Sequence, residues 1–302
     1  MVVAHLSDGR HTGRGEAAGV YFLGDDVAAM LAGIERARSA IERGAARLDL
    51  QSLLPPGGAR NALDCAFWEL ESLAAGVPVW ELAGVPAPRR LRTTLTLGAE
   101  APEAMAAAAA GIPTIKLKLT GEAALDAGRV TAVRRVMPDA WIGVDANQGY
   151  SIDKLPALVA LLVANKVALL EQPLARGRER DLDGVQRPLP FAADESVVSL
   201  AEMDRVAGRF DVVNIKLDKC GGLTEGLAIA ERARQLGIKV MVGNMMGSSL
   251  SMAPSFVLGQ LCDVVDLDGP TFLAKDRDPG VIYDDGRIWC SEEVWGFTRN
   301  GR

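Results

Sequence analysis

The sequence predicts an α/β protein: a (β/α)7β modified TIM barrel joined to a smaller α+β capping domain. Two observations carry this reading. From residue 91 onward, eight short apolar runs alternate with seven stretches of helical periodicity, as in successive β–α units around a parallel sheet. Charged residues recur where those runs end: Lys118, Asp145, Glu171, Asp194 and Lys216 are spaced 27, 26, 23 and 22 residues apart. A step of about 20–30 residues is one strand, one helix and two loops. Eight strands with right-handed crossovers favour a closed barrel over an open sheet. In such a barrel the strand C-termini converge on one face. Three carboxylates and two amines are therefore expected in one pocket.

The elements follow in order. Residues 1–24 alternate as strands about the turn Ser7-Asp8-Gly9-Arg10 and end in Gly13-Arg14-Gly15-Glu16. Residues 25–43 have helical periodicity, 53–58 form a Pro/Gly loop, and 59–76 read as a helix. Pro78, Pro86 and Pro88 punctuate a transition, so residues 1–90 form the capping domain. The barrel, 91–275, takes strands at 93–97, 114–119, 141–145, 168–171, 190–194, 212–216, 239–242 and 264–267. The helices between them fall at 102–110, 123–137, 152–165, 181–185 (short), 200–207, 224–236 and 249–261. The alanine run near 105–110 is a helix former rather than a linker. Residues 276–302 carry a hairpin signal, Tyr283-Asp284-Asp285-Gly286-Arg287, and are expected to pack back on the first module.

Composition excludes several function classes. A net charge of −6 without a basic stripe argues against a nucleic-acid partner. No apolar run approaches the roughly 20 residues of a membrane span, and the N-terminus lacks a signal-peptide core. The four cysteines, Cys65, Cys220, Cys262 and Cys290, show no CxxC spacing and read as reduced thiols of a cytoplasmic protein. The two histidines, His5 and His11, lie in a strand-turn context, which argues against histidine-dependent chemistry. The partner is then a small molecule, and the composition leaves room for a homo-oligomer.

Asp145, Glu171 and Asp194 are hard oxygen donors on successive strand ends, a set that suits Mg²⁺. Lys118 and Lys216 come from the second and sixth strands, on opposite sides of an eight-stranded barrel. They are placed to flank a substrate from opposite faces. Lys116, two residues before Lys118 on the same strand face, can lower its pKa by like-charge repulsion, and is a candidate contact for a substrate carboxylate. Asn147, Glu195 and Asn214 are candidates for orienting the ligands and lysines. Arg14 and Glu16 are expected to bridge within the capping domain. Arg47 and Arg60 are candidates to reach a substrate carboxylate. Gly221-Gly222 lacks phosphate-loop spacing and reads as a tight turn before a helix.

Taken as an ordered set, these residues resemble the enolase superfamily in its muconate-lactonizing subgroup. The motifs are Lys116-Leu117-Lys118, Asp145-Ala146-Asn147, Glu171-Gln172-Pro173, Asp194-Glu195-Ser196 and Asn214-Ile215-Lys216. Asp266-Leu267-Asp268-Gly269-Pro270 at the eighth strand looks like the dipeptide epimerases, typified by L-Ala-D/L-Glu epimerase. The stretch from Asn61 to Leu70 looks like the capping-domain helix of that group. The resemblance covers nearly the whole chain and implies Mg²⁺ as cofactor. It also implies a two-lysine 1,1-proton transfer through an enediolate that inverts the α-carbon of a dipeptide's C-terminal residue; such lysine-plus-Mg²⁺ sites are a known pattern of this superfamily. Asp266 and Asp268, on one strand face, are expected to share the dipeptide's α-ammonium. The alternatives are a muconate cycloisomerase, an o-succinylbenzoate synthase or an N-succinylamino acid racemase. A non-enzymatic metal-binding relic is disfavoured by the two lysines. Two departures stand out. The chain starts at what looks like the family's second strand, so a first strand and its lid loop are expected to be missing. Residues 243–249, after the seventh strand, lack the Glu that many relatives carry.

Overall fold

The computed structural model describes residues 1–298. The chain opens with an antiparallel hairpin of β1 (Val2–Ser7) and β2 (Thr12–Ala17). Asp8 sets its turn, Oδ1 accepting from the backbone N–H groups of Arg10 and His11 at 2.7 Å each. β2 lies against the helix Gly58–Ala75 so closely that a Cβ on Gly15 would sit 2.0 Å from the Ala62 carbonyl oxygen. Only glycine fits there. The helix Val27–Glu42, N-capped by Asp26, packs Met30 and Ala37 with Leu63 and Ala66 into a small core of the first module.

A short strand, β3 (Leu91–Arg92), leads into eight parallel strands. These are β4 (Leu95–Leu97), β5 (Thr114–Lys118), β6 (Trp141–Asp145), β7 (Leu169–Glu171), β8 (Phe191–Ala193), β9 (Val212–Lys216), β10 (Lys239–Gly243) and β11 (Val264–Val265). They neighbour one another in chain order. Thr94 N donates to the Val265 carbonyl at 3.1 Å and brings the two ends of the sheet together. Both faces of the inner strands are covered, so β8 can be wholly apolar; Phe191, Ala192 and Ala193 are all fully buried. Among the described residues no helix is long and apolar enough to cross a membrane.

The expected elements are present with three shifts. The strand read at 93–97 is shortened to Leu95–Leu97, and an extra short strand before it, Leu91–Arg92, pairs antiparallel with the tail hairpin and not with the barrel. The helix read at 181–185 is a single 3₁₀ turn, Glu179–Leu182. An extra helical turn, Leu217–Cys220, follows β9 directly. The tail forms the hairpin β12 (Ile282–Asp284) and β13 (Arg287–Trp289), which joins β3 rather than the first module. On either side of the hairpin the segment does reach that module: Arg277 pairs with Glu16, Trp295 Nε1 donates to the Arg14 carbonyl and Gly296 N to Glu69. The last four residues of the expected 276–302 segment lie outside the described ones.

The joint between module and barrel is built from buried acids. Asp64 accepts from Thr224 N and Oγ1, and Asp218 accepts from Ala18 N (3.0 Å) and Asn61 Nδ2 (3.1 Å). Glu16 accepts from Ser248 N (2.7 Å) and from Arg277 (2.9 Å). Glu16 thus ties the module to the barrel and tail, whereas the sequence placed its partner within the module; Arg14 does pair there, with Glu69. Arg47 and Arg60 do not reach the pocket. Arg47 stacks 3.6 Å over Trp68 and pairs with Glu71, and Arg60 donates to the Cys220 carbonyl. Both are spent on the joint, on the outer side of the strand ends. Gly221 and Gly222 do form the turn before the helix Leu223–Gln235, with φ of 80° and 115°.

Candidate active site

The parallel register fixes the pocket. Lys118 lies abreast of Asp145, and Asp145 abreast of Glu171, at the C-terminal ends of β5, β6 and β7. Asp194 follows β8, Asn214 and Lys216 lie on β9, and Asp266 and Asp268 follow β11. A cavity of about 200 Å³ opens over them, lined by Lys116, Lys118, Asp194, Glu195, Lys216 and Asp268 among others, with Tyr21, Phe22, Met245, Met246 and Phe272 at its apolar rim. A larger groove of about 700 Å³ runs along the outer helix Leu155–Ala164 and has no titratable group in its lining.

One oxygen from each of Asp145, Glu171 and Asp194 lies within 4.8 Å of the others, and all three side chains are buried. Glu171 Oε1 accepts from Asn214 Nδ2 at 2.7 Å; its Oε2 has no hydrogen-bond partner, the nearest cation being Lys116 Nζ at 3.8 Å. Burial first, and then the neighbouring Asp145, push the Glu171 carboxyl up to about 8. Asn147 contributes through its backbone N–H, which donates to Asp145 Oδ1 at 2.9 Å.

Each lysine is held by one of these acids: Lys118 Nζ donates to Asp145 Oδ2 at 2.5 Å, and Lys216 Nζ to Asp194 Oδ2 at 2.6 Å. Lys118 is partly open to solvent, with 28% of its side chain exposed, while Lys216 is buried. Burial disfavours the Lys216 charge, but Asp194 and Glu171 outweigh it and raise its pKa. A residue the sequence reading missed, Lys219, lies beneath Asp194. Its fully buried Nζ donates to Asp194 O and Oδ1 and to the Asn214 carbonyl. Burial favours a protonated Asp194, yet Lys216 and Lys219 overcome it and hold that carboxyl well below the usual range.

The aspartate pair is not symmetric. Asp266 is bonded to Lys116 Nζ and to Thr94 Oγ1, and after the opposing effect of burial Lys116 lowers its pKa. Asp268 accepts from Thr96 N at 2.6 Å and has no ion-pair partner among the described residues; burial and the adjacent Asp266 raise its pKa. The shared ammonium expected between the two aspartates is thus already supplied on one side, by Lys116. Lys116, read from the sequence as a contact for a substrate carboxylate, pairs here with Asp266 and lies 3.8 Å from Glu171 Oε2.

At and just beneath the cavity, six carboxylates (Asp145, Glu171, Asp194, Glu195, Asp266, Asp268) face four ammonium groups (Lys116, Lys118, Lys216, Lys219), an excess of two negative charges when all are ionised. An unpaired, buried oxygen on Glu171 and a charge deficit of two are what a divalent, oxygen-seeking cation satisfies.

The enolase C-terminal domain-like family model matches residues 99–292. The chain is similar to the L-Ala-D/L-Glu epimerase of Escherichia coli, at 37% identity over 95% of this chain and 91% of that protein. Among solved structures, it resembles an enolase family member from Agrobacterium tumefaciens with homology to dipeptide epimerases, bound to sodium and L-Ala-L-Glu. The TM-score is 0.91 at 38% identity, over 97% of this chain and 91% of that one. It also resembles a dipeptide epimerase from Methylococcus capsulatus complexed with Mg and L-Arg-D-Lys, with a TM-score of 0.85 at 29% identity, over 95% and 88% of the two chains.

Proposed function

The chain belongs to the enolase C-terminal domain-like family, and from that premise we propose that it is a Mg²⁺-dependent dipeptide epimerase of the L-Ala-D/L-Glu type, an isomerase acting on amino acid derivatives. The observation that carries the reading is one pocket that joins three buried carboxylates, a lysine beside each of two of them, and an unpaired aspartate after β11.

Asp145, Glu171 and Asp194 would hold the metal, whose Lewis acidity lowers the cost of negative charge on the substrate carboxylate. Lys118 and Lys216 carry the proton. They reach the pocket from different strands and against different acids, so a proton taken by one and returned by the other inverts the carbon between them. General acid–base transfer by a placed side chain contributes about 10²–10⁴-fold. Asp268 receives the α-ammonium, because it alone of the aspartate pair is free of a lysine. Asn214 and Lys219 fix the metal-site acids: Asn214 holds Glu171 from one side, and Lys219 holds Asp194 from below. The apolar rim would help to exclude water once a substrate fills the pocket. We also place the protein in the cytoplasm, which its four free cysteines support.

The deciding experiment is incubation with Mg²⁺ in D₂O and a panel of L,L-dipeptides that includes L-Ala-L-Glu, with N-acyl amino acids alongside. Cα–H exchange with inversion at the C-terminal residue of dipeptides, lost with a chelator, is the expected result. Exchange on the N-acyl compounds alone would move the assignment to an N-acylamino acid racemase.

A further inference from the structure

We propose that Gln172 is a positioning residue for the metal-site carboxylates, clamping the backbone of Asp194 to the residue that follows Glu171; this rests on reading Asp145, Glu171 and Asp194 as the magnesium set. Gln172 is buried, and its φ of 35° lies in the left-handed region that long side chains seldom adopt. Such backbone persists where surrounding bonds hold it in place. Here they are explicit. The side-chain Oε1 accepts from Asp194 N at 2.9 Å and from Ser196 N at 3.1 Å. Nε2 donates to the Leu174 carbonyl at 2.8 Å and to Ser196 Oγ at 2.9 Å.

A primary amide has two acceptor sites and two donors, and all four are used. The backbone of the same residue reaches the neighbouring strand ends: Gln172 N donates to the Ala192 carbonyl, and its own carbonyl accepts from Gln148 N. One residue thus touches the loops that follow Asp145, Glu171 and Asp194. Ser196 passes the chain on, donating from Oγ to Glu179 Oε1 at 2.7 Å.

No other side chain of this size replaces it. Glutamate keeps the shape but brings no donors, and adds charge beside two carboxylates. Methionine keeps the volume and loses all four bonds. Without the clamp, Asp194 N has no side-chain acceptor, and the spacing between the Glu171 and Asp194 oxygens is set by looser loops. Groups that orient ligands in this way typically contribute about 10- to 100-fold in metal affinity.

The test is calorimetric titration of the full-length protein with Mg²⁺ in the absence of substrate, for wild type, Gln172→Met, Gln172→Glu and Ser196→Ala, with melting curves in parallel. Gln172→Met and Gln172→Glu should weaken binding about 10- to 100-fold and Ser196→Ala by less. Turnover of Gln172→Met should recover toward wild type as Mg²⁺ is raised to saturation. A lowered melting temperature with unchanged Mg²⁺ affinity would make Gln172 merely structural and overturn the proposal. If the Gln172 variants do not fold, Ser196→Ala decides, and an unaltered affinity there overturns it as well. Wild-type protein that binds no Mg²⁺ would instead overturn the metal assignment, a result separate from the first.

Discussion

Asp64, in the middle of the helix Gly58–Ala75, caps a helix of the other module: it accepts from Thr224 N at 3.0 Å, in the first turn of Leu223–Gln235. The residue at that helix's own cap position is Gly222, which has no side chain to offer, and a Cβ there would lie 2.4 Å from Asp64 Oδ2. The cap therefore comes from a residue 160 positions away in the chain.

Removing the cap should be costly. In Asp64→Ala, Thr224 N and Oγ1 lose this acceptor in a part-buried setting, at about 1–3 kcal/mol. Gly222→Ala should destabilise as well, because its φ of 115° and the contact with Asp64 both exclude a methyl group. Urea unfolding of each variant measures this, and wild-type stability in both would remove the cap from the argument.

The joint should also make stability depend on pH. Burial pushes Asp64 up to about 6, against the opposing hydrogen bonds from Thr224 and the charges of Arg47 and Arg60. Asp218 rises to about 6, also through burial, with Asp25 and Glu16 adding to it and the bonds from Ala18 and Asn61 opposing. Both folded values lie above the unfolded one near 3.8. The native state therefore prefers the protonated acids. Their contribution is complete below about pH 4 and is lost as pH rises through 6, on the order of 2–3 kcal/mol for each group. Unfolding free energies from pH 4 to 8 should show a smaller loss in Asp64→Asn,Asp218→Asn than in wild type. Parallel curves would contradict this.

The two lysines should separate by face. Lys216→Ala is expected to lose inversion, with kcat reduced about 10²–10⁴-fold, while Lys118 still exchanges the Cα proton of one epimer with D₂O. Lys118→Ala should show the reverse preference. ¹H NMR on each epimer reads this directly, and exchange of both epimers by either variant would rule out the division of labour.

Asp266 and Asp268 should fail in different ways although they stand two residues apart. Asp268→Asn is expected to raise KM for free-amine dipeptides about 10- to 100-fold, the loss of one charge-assisted bond, with folding little changed. Asp266→Asn strands the buried Lys116 ammonium and should cost about 3–5 kcal/mol of stability. Kinetics and urea unfolding on both variants decide it; matching profiles would mean the pair acts as one unit.

The five residues that define the pocket were legible because each ends a strand or directly follows one, and strand-end spacing survives in a one-dimensional pattern. Lys219 was not, since it lies on the short helical turn after β9, where no strand period marks it. The pairing of Lys116 with Asp266 joins residues 150 apart and exists only because the barrel closes. The same holds for Glu16, whose partners Ser248 and Arg277 are set by how the module docks. Likewise, β3 forms ahead of the expected first strand because the tail hairpin offers it a partner that local sequence cannot announce.

The docking of the first module has a consequence for protein engineering. Asp64 and Asn61 sit on one side of the seam, and Thr224 and Asp218 on the other, so neither half carries a complete set of bonds. A chimera that transplants the first 90 residues onto a related barrel inherits two buried acids in search of donors. Such a graft should fold only when the recipient supplies Thr224, Asp218 and Ser248 equivalents. Recombination between relatives is therefore constrained at this seam more tightly than at the pocket rim, where Tyr21 and Met246 are largely exposed and can be exchanged one at a time.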